Sequence, residues 1–317
     1  MERPITLLLL EPELLRVVDT ALGEDLSMGD VTTDSLIDPS WHAEGSILAK
    51  EAGVLAGMPV AAAVFRRVDP AISFEVQRPD GSRMAAGDVI GTVAGPAASI
   101  LKAERAALNF IQRLSGVATL TAAMVEAVGG MPVRITETRK TTPGLRSLEK
   151  YAVRVGGGYN HRQNLADGVL IKDNHLQALA AAGYGVADAV RLARARATHM
   201  VQIEVEVDTL DQLREVLDAE PDWILLDNMP PALMKEAVKI VAGRAKIEAS
   251  GGITLASVRE VAASGVDLIS SGALALLPGA GHQPGAELPG LTITRPPRPG
   301  KGSSPLLVGA PGTAWAE

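Results

Sequence analysis

The sequence predicts an α/β protein whose second half is an incomplete (β/α) barrel with parallel strands. Three observations carry this. Short apolar runs begin at Val133, Val169, Ile203, Ile224, Ile247 and Leu268, spaced 36, 34, 21, 23 and 21 residues apart. Helical patterns separate the later runs, which is the rhythm of βα units around a parallel sheet. Charged residues gather where the runs end: Arg139 and Lys140, Lys172, Glu206 and Asp227. An open doubly wound sheet fits the rhythm equally well. The charges favour the barrel, because carboxyl strand ends build the active site there. Six runs against the usual eight predict an irregular or incomplete ring.

The elements follow in order. Residues 12–22 have a helical pattern, and 25–34 are polar and turn-rich. Strand-like runs follow at 45–49, 72–76 and 89–93, with a Pro79-Asp80-Gly81 turn between the last two and a helical stretch at 59–68. This first part reads as a separate α+β layer. Residues 99–128 read as two helices broken near Ser115-Gly116. The barrel strands are expected at 133–135, 169–171, 203–207, 223–226, 246–249 and 267–269. Thr209 with Gln212 matches a capping box, Pro230 and Pro231 mark a helix start, and Thr254 opens a helical segment that stops at Gly265. The expected domains are 1–114, 115–278 and a Pro/Gly-rich extension over 279–317, mostly flexible after 295.

Composition narrows the function classes. Apolar residues make up 47% of the chain and aromatics 3%, so Ala, Val, Leu and Ile must build the core. With no cysteine there is no disulfide, thiol nucleophile or thiolate zinc site, which fits a reducing compartment. The 7–10 leucine run is too short for a bilayer, and no signal-peptide pattern appears, so a cytoplasmic location without membrane attachment is expected. A net charge of −7 argues against a nucleic-acid partner. Residues 134–173 nevertheless hold eight Lys/Arg against four Asp/Glu, a local positive field suited to a small anion.

That field centres on Arg139-Lys140 and on His161-Arg162, each beside glycine-rich chain. Planar guanidinium forks grip carboxylates at two points, and lysine acts as a compact charge. Ser250-Gly251-Gly252-Ile253 and Ser270-Ser271-Gly272-Ala273 each follow a strand and precede a helical segment. Glycine lets the backbone approach closely, so exposed N–H groups there can hold a phosphate, although Gly and Ser are common in any βα turn. Glu206 and Asp227 end buried strands, where a carboxylate needs a partner. They could hold ribose hydroxyls or Mg²⁺, or form a structural ion pair. Period-two alternation puts Glu204 on the same face as Glu206, so either is the candidate acid. His161 and His175 could each be ordinary core or surface residues. No His-Glu-x-x-His spacing supports a catalytic zinc, and Gly156-Gly157-Gly158 lacks the setting of a dinucleotide site.

Longer motifs add to this. Glu104-Arg105 with Asn109, Leu114-Ser115-Gly116-Val117-Ala118-Thr119 and Thr136-Glu137-Thr138-Arg139-Lys140-Thr141-Thr142-Pro143-Gly144-Leu145-Arg146 come first. Gly157-Gly158-Tyr159-Asn160-His161-Arg162, Ile171-Lys172-Asp173-Asn174-His175 and Glu204-Val205-Glu206-Val207 follow, then Leu225-Leu226-Asp227-Asn228 and Glu248-Ala249-Ser250-Gly251-Gly252-Ile253. In order and spacing, from about residue 24 to about 275, they resemble the quinolinate phosphoribosyltransferase family. The resemblance implies an N-terminal α/β sandwich, a partial β/α barrel, and a homodimer whose active site the partner chain completes. It implies that quinolinate and phosphoribosyl pyrophosphate give nicotinate mononucleotide, CO₂ and pyrophosphate, with Mg²⁺. Carried onto this chain, Arg105, Arg139, His161, Arg162 and Lys172 would bind quinolinate. Lys140, Glu206, Asp227, Ser250, Gly251, Gly252, Ser271 and Gly272 would bind phosphoribosyl pyrophosphate. Lys140, Lys172, Glu206 and Asp227 would carry catalysis, with Glu206 and Asp227 as Mg²⁺ ligands. The chain departs from the family at its C-terminus, where 276–289 looks inserted, 288–293 is the candidate returning strand and 295–317 is extra. Two alternatives stand beside this: a paralogous phosphoribosyltransferase with another anionic acceptor, and a catalytically silent ligand-binding homologue.

Overall fold

The structure, a computed structural model, describes residues 11–275 and the backbone of a strand at 290–294. Expectations for 7–10, 276–289 and 295–317 lie outside the described residues. The described chain forms two compact units, one ending at Thr119 and including the 290–294 strand, the other starting at Leu120.

The first unit begins with α1 (Glu11–Leu26), whose Val17, Val18 and Leu22 are buried. The turn-rich stretch that follows contains a short helix, α2 (Val31–Leu36), started by Asp30, whose side chain accepts from the Thr33 N–H. Strands β1 (His42–Leu48) and β2 (Gly53–Val54), helix α3 (Met58–Val68), and strands β3 (Ser73–Val76), β4 (Arg83–Met84) and β5 (Val89–Pro96) complete the layer. β1 lies between β5 and the strand at 290–294, all antiparallel, with β3 on the far side of β5. The returning strand read at 288–293 therefore exists, shifted slightly. The two-stranded ribbon of β2 and β4 was beyond pattern reading, because two residues show no period. The 79–81 turn has a second role: Asp80 accepts from the N–H groups of Gly57 and Met58 and so caps α3. Ile47, Leu55, Phe65, Ile90 and Ile111 fill the core.

Helix α4 (Ala97–Ala127) runs unbroken for 31 residues, so the break expected near Ser115-Gly116 is absent. An interior glycine costs a helix only about 1 kcal/mol. Ser115 turns its hydroxyl to the backbone N–H and C=O of Ala56 instead of competing for its own helix.

The second unit alternates β6 (Arg134–Thr136), α5 (Arg146–Val155), β7 (Val169–Ile171), α6 (Asp173–Ala180), α7 (Val186–Arg196), β8 (Ile203–Val207), α8 (Leu210–Leu217), β9 (Trp223–Asp227), α9 (Pro231–Val241), β10 (Lys246–Ser250), α10 (Val258–Ala262) and β11 (Leu268–Ser270). All pairings are parallel, in the order β6-β11-β10-β9-β8-β7. First and last strands pair, and every other neighbour is consecutive. That is the order of a β/α ring opened at one seam, between β6 and β7. The Thr209–Gln212 capping box is present, with both bonds at 3.2 Å, and Pro231 opens α9. The helix expected over 254–265 is reduced to α10, because Thr254 and Ser257 bond to each other first. No described helix is long and apolar enough to cross a membrane.

Candidate active site

Parallel pairing brings the carboxyl ends of all six strands to one edge. Ser270 lies opposite Thr136, Ser250 opposite Asp227, and Leu225 is matched by Glu206 on one side and Glu248 on the other. All five residues of β8 are buried. Alternation sends Ile203, Val205 and Val207 to one face and Glu204 and Glu206 to the other.

The seam is filled by the glycine-rich segment. The Tyr159 N–H donates to the Ile135 carbonyl at 2.8 Å, and Thr136 bridges to Tyr159, so 158–160 runs along the free edge of β6. Gly158 makes this approach possible. A Cβ there would meet Thr121 and Val153 methyls at 2.8 Å and the Ile135 carbonyl at 3.2 Å. Arg134 and Arg154 stack on the Tyr159 ring at 4.6 and 4.8 Å. Beneath lies a buried ion pair, Lys150 with Glu137. Glu137 also accepts from the His161 N–H at 3.0 Å and the Asn160 amide at 3.1 Å, and Lys150 donates to the His161 carbonyl at 2.8 Å. Burial pushes the Lys150 ammonium down, and Glu137 opposes that shift.

This anchoring delivers His161 and Arg162. The Arg162 Nη1 donates to the Gly168 carbonyl at 2.8 Å, just before β7. Its Nε is buried with no acceptor, and so is the Nε of Arg139. Burial lowers the Arg162 pKa, Glu204 works against this, and the cation of Arg139 adds to it. Two buried donors lacking acceptors are the signature of a site shaped for an absent anion. Lys172 pairs with Glu206 and stays 44% exposed, a cation at the open edge. The Arg139 carbonyl is held from Arg146 Nη2 at 3.5 Å.

Deeper in, the His161 Nε2 lies 3.2 Å from Glu248 and 3.7 Å from Glu204. Burial first, then the Glu248 charge, raises the Glu204 pKa well above 4.5. From pH 4.5 up to that raised value the folded chain binds more protons than the unfolded chain, so stability falls as pH rises through that window. Glu204→Gln is expected to flatten this slope in urea unfolding measured from acid to neutral pH. An unchanged slope would contradict the assignment. The three groups are close enough to share a cation. However, the Nδ1 of His161 accepts from the Arg162 N–H at 2.8 Å. That leaves the ring proton on Nε2, where it blocks metal ligation. Nε2–H is then the donor of the ring, close to the carboxylates of Glu204 and Glu248.

At the first glycine turn Gly251 and Gly252 have φ of +94° and +60°. Their N–H groups have no backbone acceptor among the described residues. A Cβ on Gly251 would sit 2.2 Å from the Asn228 Oδ1. Gly251→Ala therefore forces the turn open, and the Kd for a phosphate-bearing ligand should rise about tenfold, with that for an anion at the cationic side little changed. Equal rises in both would contradict a separate phosphate grip. In the second turn Ser271 is already committed. Its hydroxyl donates to the Ile253 carbonyl at 2.7 Å and its N–H to the Thr136 carbonyl at 3.0 Å, leaving Gly272 as the donor.

Lys140 is exposed, and its N–H is fixed to the Thr138 hydroxyl at 3.0 Å. Arg105 is exposed on α4 in the first unit. His175 is a helix cap: its Nδ1 accepts from the Lys172 N–H at 3.0 Å and steadies that lysine's backbone. Glu248 and the Glu137–Lys150 pair were not singled out from sequence. An acid amid the apolar 246–249 run was the available signal for Glu248.

A β/α ring with its charges at the carboxyl ends defines an enzyme of small anionic substrates, with one side for a phosphate and one for an acceptor. The comparisons with known proteins agree. The family models for the N-terminal and C-terminal domains of quinolinate phosphoribosyl transferase match residues 30–115 and 117–277. A probable nicotinate-nucleotide pyrophosphorylase [carboxylating] of Bacillus subtilis is 43% identical over 83% of this chain and 89% of its own. The nicotinate-nucleotide pyrophosphorylase [carboxylating] of Mycobacterium leprae is 44% identical over 80% and 90%. The crystal structure of NadC from Streptococcus pyogenes superposes with a TM-score of 0.79 at 42% identity, covering 84% of this chain and 93% of that one. The chain belongs to the quinolinate phosphoribosyltransferase family.

Proposed function

We propose that the chain transfers a phosphoribosyl group from phosphoribosyl pyrophosphate to quinolinate with loss of a carboxylate, giving nicotinate mononucleotide, CO₂ and pyrophosphate. The observation that carries this is the pair of buried, acceptor-less guanidinium Nε donors on Arg139 and Arg162. Quinolinate has two carboxylates to satisfy them, with Lys172 beside them. Arg105 joins from the partner chain of a homodimer.

The difficult step is departure of pyrophosphate from the ribose C1, which leaves positive charge on the sugar. Lys140 and Lys172 stabilise the leaving charge, and Glu206 favours the cationic ring. Glu206 rather than Glu204 takes this role, because Glu204 faces Glu248 and His161, whereas Glu206 pairs with the half-exposed Lys172. Asp227 holds ribose hydroxyls, and the N–H groups of Gly251, Gly252 and Gly272 hold the 5′-phosphate, with Ser250 alongside and Ser271 shaping the second turn. The quinolinate nitrogen, held in line, attacks C1 without a general base. Loss of CO₂ leaves an electron pair on the ring carbon beside the pyridinium nitrogen, whose positive charge stabilises it until a proton from solvent replaces the carboxylate.

Glu206 and Asp227 fit Mg²⁺. Each already gives one oxygen to a neighbour, Lys172 and Asn228 respectively, and the second oxygen of each has no partner among the described residues. Two hard oxygens are too few for a protein cage but suit an ion shared with phosphates. Bound there, Mg²⁺ supplies charge neutralisation to the leaving group. The purified chain with quinolinate, phosphoribosyl pyrophosphate and Mg²⁺ should form nicotinate mononucleotide and equimolar CO₂, followed by mass. No product, or the same product from nicotinate without CO₂, would refute the reaction.

A further inference from the structure

We propose that Glu248 is a positioning residue: it holds the His161 ring as a strut in a single tautomer and so sets where Arg162 stands. The inference deepens the functional reading above, which supplies the substrate that reports it.

The strut is defined at both ends. Glu248, 1% exposed on β10, stands 3.2 Å from Nε2, with Glu204 3.7 Å from the same nitrogen. At the other end Nδ1 accepts from the Arg162 N–H at 2.8 Å. An imidazole nitrogen that accepts a backbone N–H carries no proton, so the ring proton belongs to Nε2. The main chain of the same residue is fixed independently, its N–H to Glu137 and its carbonyl to Lys150. His161 thus links β10 to the segment that fills the seam. Arg162 is held at its N–H by the ring and at one Nη by the Gly168 carbonyl.

The chemistry of the pair explains an acid at this position. Glu248 shares its strand face with Lys246 and Ser250 and meets the carboxyl of Glu204 and the ring of His161. A buried carboxylate is costly unless compensated. Arg162 compensates it through space, since Glu248 helps to hold that guanidinium in its charged form. The carboxylate therefore confronts Nε2 of the ring at close range and acts on the guanidinium by its charge. It touches no substrate in this arrangement, so its loss should appear in quinolinate binding more than in turnover.

The test uses the full chain, with Glu248→Gln and Glu248→Leu. Glutamine keeps an acceptor oxygen for Nε2–H, and leucine keeps volume alone. Loss of a partner one step behind a binding residue costs about 10- to 100-fold. Glu248→Leu is expected to raise the quinolinate KM by that amount, with kcat and the phosphoribosyl pyrophosphate KM within about threefold of the parent. Glu248→Gln is expected to recover most of the loss. Independently, ¹⁵N-histidine NMR of the parent protein, with His161 assigned by His161→Asn, should show a neutral ring protonated on Nε2. Glu248→Leu should give a mixed or averaged tautomer. A parent ring protonated on Nδ1 or on both nitrogens, or an unchanged quinolinate KM in folded Glu248→Leu, would overturn the proposal. If Glu248→Leu does not fold, the parent spectrum and the Glu248→Gln kinetics decide. The expected tautomer in a parent protein inactive on quinolinate would fault the substrate assignment and leave the strut intact.

Discussion

Alanine at Arg139 is expected to raise the quinolinate KM by about 30- to 4000-fold, leaving the KM for phosphoribosyl pyrophosphate nearly unchanged. The range follows from the roughly 2–5 kcal/mol lost when one partner of a buried, hydrogen-bonded charge pair is removed. Arg139 presents a buried Nε with no acceptor in the protein, so its hydrogen bond is reserved for a ligand. Its main chain is held from elsewhere, through Arg146 and Thr141, so the variant should fold. Lysine should rescue poorly, because an ammonium lacks the planar fork that meets a carboxylate at two points. Steady-state kinetics with each substrate varied separately checks this. Normal quinolinate affinity in Arg139→Ala would show that the carboxylate lies elsewhere.

Lys150→Met is expected to cost about 3–5 kcal/mol of stability, the range seen when a buried ion pair loses one member. Lys150 and Glu137 are 3% and 0% exposed, and Glu137 organises three donors. Without the ammonium its buried charge keeps two neutral donors but no counter-charge. The double variant Glu137→Leu with Lys150→Met should regain much of that loss, since no unpaired charge remains. Its activity should nevertheless stay low, because the His161 N–H and the Asn160 amide lose the acceptor that sets the loop. Urea unfolding of the singles and the double measures this. A single variant within about 1 kcal/mol of the parent would contradict the role given to the pair.

Much of the fold was legible because fully buried parallel strands carry contiguous apolar runs, and β8 and β9 fall at the residues expected. The 97–127 helix shows the opposite case. Serine and glycine read as a break, yet tertiary contact gave Ser115 a backbone partner across the layer and the helix continued. At the site, residue types were legible and relations were not. Arg139 and Arg162 could be named from motifs, whereas the absence of acceptors on their Nε atoms exists only once the seam is packed. Alternation made Glu204 and Glu206 equivalent, and only the cross-strand neighbours separated them: Glu248 for one, Lys172 for the other. His161 could be named from its motif, whereas the N–H held by its Nδ1 and the carboxylates around its Nε2 are a matter of three-dimensional contact.

A crystal structure of the chain with quinolinate tests the central claim most directly. The two carboxylates should lie at the carboxyl ends of the strands, each within about 2.7–2.9 Å of a guanidinium nitrogen of Arg139 or Arg162. Quinolinate bound elsewhere, or bound there with both Nε donors still lacking an acceptor, would contradict the account.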